Sequence, residues 1–182
     1  SDLDGTLLNS TATLSGYTRQ TLNRLLASGL PFTIATSRSV SSVGPIFQGV
    51  SLPFPVIELN GAYITDLSTG EHLFVNSIAT NLAADLLTVV QAHDIKPLIS
   101  CHNGQEDQVY FTTDVNAGIQ WYIDDAERNE DGRWHCRPDL TAIFDDQVMR
   151  FTLIDTQARL TALALVLRSR FPYCLDMHLF EK

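Results

Sequence analysis

Two carboxylates stand two positions apart at the start of the sequence, in the run Asp2-Leu-Asp4-Gly5-Thr6. Side chains at positions i and i+2 of an extended segment point to the same side. Crowding two carboxylates favours a proton on one of them, so that one acts as an acid while the other stays an anion. An ionised Asp could then attack phosphorus while the second Asp protonates the leaving oxygen. The spacing therefore suits phosphoryl transfer through an aspartyl-phosphate.

The residues around the acidic pair fit the same chemistry. Gly5 permits a tight backbone bend and lets N–H groups approach phosphate oxygens. Carboxylates repel a phosphate dianion, and a hard divalent cation such as Mg²⁺ offsets that repulsion. A solvated Asp-Gly turn that only joins a strand to a helix is the alternative. A calcium loop is disfavoured, because Thr13 stands at the twelfth position from Asp2, where that motif requires Glu.

Composition restricts the class of protein. The 182 residues are 45% hydrophobic and 18% charged, which provides a core and disfavours a disordered chain. A net charge of −9 disfavours nucleic acids and anionic membranes as partners. No apolar run approaches the roughly 20 residues of a membrane-spanning helix, and the start lacks the layout of a secretory signal. Three widely spaced cysteines favour reduced thiols. We predict a soluble, acidic, cytoplasmic α/β protein of open oligomeric state.

The first sixty residues alternate between strand and helix patterns. Ser15 is predicted to cap a helix over about 16–28, and a second helix is predicted over about 39–48. Short buried strands are predicted over 31–36 and 55–59. This alternation favours a parallel sheet covered by helices. Because no strand precedes the acidic pair and the last residues are strand-like, we expect both ends to be cut.

The remaining residues predict a second arrangement, an antiparallel sheet with helices on one face. Residues 62–65 and 72–75 read as a hairpin. Apolar spacing predicts three helices and three further strands. The helices are predicted over about 79–93, 115–129 and 157–170, and the strands over 97–100, 108–112 and 148–154.

Three segments resemble motifs of the haloacid dehalogenase superfamily of phosphohydrolases. The run from Asp2 to Leu7 resembles its first motif, Asp-x-Asp-Gly-Thr-Leu. Residues 32–38 resemble the second, a strand that ends in Thr, although Ser37 stands where the family usually has Gly. Residues 57–62 resemble the Asn-Gly-Ala segment that leads into the large α/β cap of the Cof-type branch. The resemblance covers nearly the whole chain, and the order and spacing of the three segments together make it specific.

The resemblance implies a fold and two catalytic residues. It implies a partial Rossmann-like parallel-sheet core over residues 1–61 and an α+β cap on an antiparallel sheet over 62–182. Asp2 would be the nucleophile and a metal ligand. Asp4 would be the general acid/base and would ligate the metal, Mg²⁺, through its backbone carbonyl.

The resemblance also implies phosphate- and substrate-binding residues: Thr36, Ser37, Arg38, Asn60 and Gly61. Thr36 would hydrogen-bond the phosphoryl group, in keeping with ligand sites beyond the carboxyl ends of parallel strands, and Arg38 would contact phosphate in a bidentate way. For three of these residues a structural alternative stays open. Thr36 could merely end a strand, Arg38 could be solvated at a helix start, and Asn60 could shape a turn with Gly61.

The function that these features predict is a Mg²⁺-dependent phosphatase of small phosphorylated metabolites such as sugar phosphates. The family's Lys motif and its acidic metal loop are not found in these 182 residues, and Lys182 is not assigned to either. Two alternatives stay open: a non-catalytic phosphate-binding or regulatory domain, and a phosphomutase. The identity of the substrate is also open.

Two other groups of residues carry less weight. Cys101-His102 and His135-Cys136 invite a zinc interpretation, but they lack the close paired spacing of zinc ligands. Trp121, Tyr122 and Trp134 could line a substrate pocket, whereas their helical spacing and size favour core packing.

Overall fold

The computed structural model describes residues 1–172, so the predicted strand-like end at 174–182 lies outside the described residues. The chain divides into two compact units, Ser1–Asn76 and a second unit that begins at Ser77. The hairpin of residues 63–75 belongs to the first unit because it pairs with the strand at 56–58. The predicted division into a core over 1–61 and a cap over 62–182 stays a prediction.

Two helices of the first unit confirm the sequence prediction. Helix α1 spans Gly16–Ala27 and helix α2 spans Val40–Ile46. The Ser15 hydroxyl accepts a hydrogen bond from the Thr18 N–H at 3.0 Å, as expected of an N-cap. A cap of this kind contributes about 1 kcal/mol, because it satisfies a backbone donor that the first helical turn leaves unpaired.

The sheet of the first unit is mixed and short. Strands β1 (Val56–Glu58), β2 (Tyr63–Thr65) and β3 (His72–Val75) form an antiparallel sheet in the order β1-β2-β3. Residues 31–36, predicted as a strand and here called the bridge segment, contribute only a parallel bridge between Ala35 and Ile57. The Ile57 N–H donates to the Ile34 carbonyl, but Pro55 has no N–H with which to continue this ladder. The predicted strand is therefore reduced to a bridge.

The first residues are tied to the bridge segment. The Ala35 N–H donates to the Ser1 carbonyl at 2.9 Å, and the Ser1 amino group donates to the Thr33 carbonyl at 2.9 Å. Leu3 is fully buried in the apolar core of this unit. Burial of a leucine side chain contributes about 1.5–3 kcal/mol, so Leu3 fixes the start of the chain firmly. The other buried members of this core are Leu8, Leu14, Leu22, Ile34, Val43, Phe47, Val50 and Val56.

Over residues 77–172, the second unit consists of a four-stranded sheet and three helices. The three predicted helices are confirmed to within two residues at each end, and the predicted strands are present with shifted ends. Helices α3, α4 and α5 span Thr80–Ala92, Ala117–Arg128 and Gln157–Arg170. Strands β4, β5, β6 and β7 span Pro97–His102, Asp107–Phe111, Trp134–Cys136 and Gln147–Leu153, in the order β6-β5-β4-β7.

The predicted antiparallel sheet is confirmed by the pairs β5-β4 and β4-β7. Strand β6 was not predicted, and it pairs parallel with β5. The prediction of helices on one face is wrong, because helices cover both faces. Leu98 and Val109 pack with Ile119 of α4, while Ile99 packs on the opposite face with Leu87 of α3. Because residues 97–101 of β4 are all buried, this strand lacks the alternation of a sheet with one solvated face.

The three aromatic residues considered in the sequence analysis, Trp121, Tyr122 and Trp134, differ in their surroundings. Tyr122 and Trp134 pack against the cluster around Ile119, which confirms the predicted core packing. Trp121 is 54% exposed and contacts the Tyr122 ring edge-on at 5.0 Å, so that prediction was wrong for Trp121. No helix within residues 1–172 is long and apolar enough to cross a membrane.

The two cysteines in the described part of the chain will differ in reactivity. Cys101 is buried, and burial together with the nearby Asp146 raises the pKa of its thiol to about 12, whereas Cys136 is exposed. Since the thiolate is the nucleophile, iodoacetamide at pH 8 will label Cys136 in the native protein and leave Cys101 unlabelled. Mass mapping of the peptides measures this, with denatured protein as the fully labelled control. Native labelling of Cys101 at the rate of Cys136 would contradict the burial.

Candidate active site

The acidic turn, residues 2–7, presents both carboxylates on the surface. Asp2 is extended (φ −74°, ψ 164°), Leu3 is fully buried, and Asp4 is exposed. The alternation expected of positions i and i+2 is therefore present, with Leu3 anchoring the pair from the opposite side. Gly5 has φ +74° and no atom within 4 Å of where a Cβ would stand. Glycine is thus required here by backbone conformation and not by space.

Arg38 forms a bidentate ion pair with Asp4. Its Nε donates to Oδ2 and its Nη2 donates to Oδ1, each at 2.7 Å. The hydrogen bonds with Asp4 raise the pKa of Arg38, and the Coulomb attraction of the carboxylate acts in the same direction. Both side chains are partly exposed, so the pair contributes about 1 kcal/mol or less. The main consequence of the ion pair is therefore structural: it holds the Arg38 guanidinium next to the Asp4 carboxylate.

Thr36 is buried beside β1 at the end of the bridge segment. Its N–H donates to the Ile57 carbonyl at 2.9 Å, and its hydroxyl oxygen accepts from the Arg38 N–H at 3.2 Å. A hydroxyl that accepts one hydrogen bond retains its own proton for donation. Residues 36–40, here called the Thr36 loop, run from this point into α2, with Ser37 half-buried between Thr36 and Arg38.

The segment from Leu59 to Gly61 is bonded to the Thr36 loop. The Leu59 N–H donates to the Arg38 carbonyl at 3.2 Å, and the Asn60 N–H donates to the Thr36 carbonyl at 3.0 Å. All three residues of the segment have positive φ: 47° at Leu59, 58° at Asn60 and 92° at Gly61. Asn and Gly tolerate this conformation well, so both residue types have a structural reason here. The Asn60 residue is exposed.

The structure therefore brings most of the predicted site residues into one connected set. Contacts run from Asp4 through Arg38 to Thr36 and on to Asn60. The sequence predicted Arg38 as a phosphate contact, and the structure adds that it binds Asp4. Their pairing carries no signal in the sequence, because 34 positions separate the two residues. The predicted roles of the individual residues stay predictions.

Sequence reasoning missed one residue, Glu58. Its side chain is fully buried, and its carboxylate accepts hydrogen bonds from the Val40 N–H and from the Thr65 hydroxyl. The available signal was a lone carboxylate within the otherwise apolar run of residues 56–59. Buried charges are rare and are normally paired, so such a residue indicates a specific contact.

The oxygen donors of the acidic turn suit a hard cation. Asp2 has an exposed carboxylate that makes no capping hydrogen bond with the turn, and Asp4 adds a backbone carbonyl. Mg²⁺ favours carboxylate and carbonyl oxygens together with water. The Asp4 carboxylate is engaged by Arg38, which leaves the Asp2 carboxylate and the Asp4 carbonyl as the fitting ligands.

The fold and the site define the class of protein. It is an α/β protein in which the acidic turn lies beside the parallel bridge between Ala35 and Ile57. The Thr36 loop adds the Thr36 hydroxyl and the Arg38 guanidinium to this site. Comparison with known proteins identifies the family. The sequence profile of the haloacid dehalogenase-like hydrolases matches residues 1–178. The chain belongs to this family, which confirms the resemblance seen in the sequence.

Individual relatives support the assignment. The chain is 34% identical over 116 residues to the 5-amino-6-(5-phospho-D-ribitylamino)uracil phosphatase of Bacillus subtilis, covering 60% of this chain and 40% of that enzyme. It is 31% identical over 98 residues to the pyridoxal phosphate phosphatase of Escherichia coli, covering 54% and 36%. The chain thus spans about two fifths of the length of the curated relatives it matches.

Solved structures show the same fold. A haloacid dehalogenase-like hydrolase from Bacteroides thetaiotaomicron superposes with a TM-score of 0.76 at 18% sequence identity. The match covers 99% of this chain and 66% of that structure. At this identity the likeness concerns the fold, and it confirms the predicted α/β class.

Proposed function

We propose that this protein is a Mg²⁺-dependent phosphatase that hydrolyses small phosphate monoesters through an aspartyl-phosphate on Asp2. The observation that carries the proposal is the bidentate contact of Arg38 with Asp4, which joins the Thr36 loop to the acidic turn. This contact supports the proposal because it brings the Arg38 guanidinium to the turn that carries Asp4 and the exposed Asp2. Family membership supports a hydrolase.

The side chains divide the reaction between them. The Asp2 carboxylate attacks phosphorus and forms an acyl phosphate, while the ester P–O bond breaks and Asp4 gives a proton to the leaving oxygen. Asp4 then takes a proton from water, which attacks the acyl phosphate, releases inorganic phosphate and restores the Asp2 carboxylate. Thr36 donates its hydroxyl proton to a phosphoryl oxygen, and Arg38 binds the phosphate dianion with the Nη1 and Nη2 hydrogens that do not bond to Asp4.

Neighbouring residues complete the phosphate and substrate contacts. Ser37 lies in the Thr36 loop between Thr36 and Arg38. Asn60 is exposed, and its segment is hydrogen-bonded to this loop. Gly61 allows the backbone bend that follows. A Mg²⁺ ion held by the Asp2 carboxylate and the Asp4 carbonyl would supply charge compensation for the approaching dianion.

The substrate class follows from the relatives and remains part of the proposal. Both named relatives act on small phosphorylated metabolites, one of which carries its phosphate on a ribityl chain. We therefore propose small phosphorylated metabolites, with sugar phosphates as the first group to test and residues 62–182 as the specificity-determining region. A cytoplasmic location belongs to the same proposal and is consistent with the free thiols of Cys101 and Cys136.

Phosphate release will test the proposal. The intact protein that carries this sequence will release inorganic phosphate from sugar phosphates in the presence of Mg²⁺, and excess EDTA will reduce the rate at least about 100-fold because charge compensation is lost. Restoring Mg²⁺ will restore the rate. An isomerised sugar phosphate without phosphate release would establish a mutase instead. Phosphate binding without turnover would establish a binding domain.

A further inference from the structure

A buried carboxylate, that of Glu58, is hydrogen-bonded to the last residue of the Thr36 loop. Glu58 follows Ile57 in β1, the strand that bonds to Thr36, and its side chain is fully buried. One carboxylate oxygen accepts a hydrogen bond from the N–H of Val40, the residue with which α2 begins. Glu58 therefore contributes a side-chain hydrogen bond to the Thr36 loop, in addition to the backbone hydrogen bonds that Leu59 and Asn60 donate to that loop.

The other carboxylate oxygen of Glu58 is tied to the hairpin. It accepts a hydrogen bond from the Thr65 hydroxyl of β2 and lies 3.4 Å from Nδ1 of His72 in β3. The Thr65 hydroxyl also lies 2.7 Å from that Nδ1.

The hairpin end of this network is buried and closely packed. The His72 ring stacks on the ring of Tyr63, with centroids 3.9 Å apart and planes 4° from parallel. Tyr63 is 1% exposed, and Thr65 and Glu58 are fully buried. Buried polar groups that are satisfied by several partners at once hold their partners in one arrangement. The position of the Glu58 carboxylate is therefore set by the hairpin.

We propose that Glu58 is a positioning residue for catalysis, which fixes the Thr36 loop by joining the Val40 amide to Thr65 and His72 of the hairpin. Thr36 and Arg38 lie two to four residues before Val40, so a shift of this amide moves the groups that contact phosphate. A displacement of about 1 Å at a catalytic group is enough to lower a rate by about 100-fold. The kinetic part of this proposal rests on the proposed phosphatase function, whereas the anchoring part does not.

Three variants of the intact protein separate anchoring from general stability. Glu58→Leu removes both acceptors at similar volume. Glu58→Gln keeps a carbonyl oxygen for the Val40 N–H and an amide that can bond Thr65. Thr33→Val is the matched control, because it removes the hydrogen bond from the Thr33 hydroxyl to the Pro55 carbonyl within the same unit, at the other end of the bridge segment.

Amide hydrogen exchange at Val40 is the first measurement. Glu58→Leu will accelerate it by at least about tenfold, whereas Glu58→Gln and Thr33→Val will leave it within about threefold of the unmodified protein. Unchanged exchange at Val40 in Glu58→Leu would overturn the proposal, whatever the activity. If Glu58→Leu does not fold, Thr65→Val replaces it. It removes the hairpin partner of Glu58 and will accelerate the same exchange several-fold, and no acceleration would overturn the link to the hairpin.

Kinetics with p-nitrophenyl phosphate are the second measurement. Glu58→Leu will lower kcat/KM by about 10- to 100-fold, and Glu58→Gln will restore most of it. In an Arg38→Ala background the loss will be smaller, because one of the two groups that are being positioned is gone. A loss of the same size in both backgrounds would reduce Glu58 to a structural residue. An inactive unmodified protein would refute the proposed function, and the exchange at Val40 would still decide the anchoring.

Discussion

Replacement of Asp2 by Asn will reduce phosphate ester hydrolysis by the intact protein at least about 10³-fold, through kcat. An amide is not a nucleophile toward phosphorus, and it has no negative charge for a cation. The fold will persist, because the Asp2 side chain is exposed and makes no capping hydrogen bond, while the buried Leu3 holds the turn. Phosphate release at saturating substrate measures the loss, and thermal unfolding verifies the fold.

A matched substitution and a trapped intermediate make this test specific. Asp85→Asn changes an exposed carboxylate of α3 and will leave kcat unchanged within about twofold. Acid quenching during turnover will yield a phosphorylated peptide that contains residue 2 from the unmodified protein and none from Asp2→Asn. Turnover that survives in Asp2→Asn would refute the aspartyl-phosphate mechanism.

The helices could be predicted because their signals are local. Ser15 caps α1 as expected, and the apolar stripe of α3 spaces Leu86, Val89 and Val90 as a buried face requires. Each of these signals lies within the element that it specifies. The order of helices and strands, and with it the α/β class, follows from such signals in succession.

The errors concern contacts between distant segments. Strand β6 is only three residues long and pairs Val109 with Trp134 across 25 positions, a parallel pairing that no local pattern specifies. The bridge segment has the apolar character of a buried strand, but Pro55 in its partner ends the ladder. Whether a strand pairs fully depends on donors that the partner supplies.

The candidate site divides in the same way. Positions that depend on backbone conformation, such as Gly5 and Gly61, are readable from residue type, because a positive φ favours glycine. The ion-pair partner of Arg38 cannot be predicted from the sequence, because any carboxylate that the fold brings close could form the pair. The hydrogen bond between Glu58 and Thr65 likewise depends on the pairing of β2 with β1, which no local pattern specifies.

Replacement of Asp4 by Asn will lower kcat for an alkyl phosphate by about 10²- to 10⁴-fold, the range expected when a general acid/base is lost. Asn is close in size and keeps one oxygen to accept from Arg38, so the acidic turn will hold its place. The substitution removes the proton that the leaving alkoxide needs and the base that activates water. Phosphate release and thermal unfolding measure the two consequences separately.

The choice of leaving group distinguishes these two roles of Asp4. p-Nitrophenolate leaves as a stable anion and needs no proton, so Asp4→Asn will still form the aspartyl-phosphate from p-nitrophenyl phosphate. Water will then attack slowly, because the base is missing. The expected result is a burst of p-nitrophenol equal to the enzyme concentration, followed by slow turnover. Equal losses with both substrates and no burst would show that Asp4 is not the proton donor.

Arg38→Ala tests whether the broken ion pair alone explains the Asp4→Asn result. It removes the guanidinium fork and leaves the Asp4 carboxylate in place, so proton transfer in both steps persists. We expect weaker binding of the phosphate dianion, with KM raised about tenfold and no burst. Arg38→Lys will recover little of this loss, because an ammonium group does not reproduce two parallel hydrogen bonds. A burst in Arg38→Ala would assign the effect of Asp4 to its contact with Arg38 and not to proton transfer.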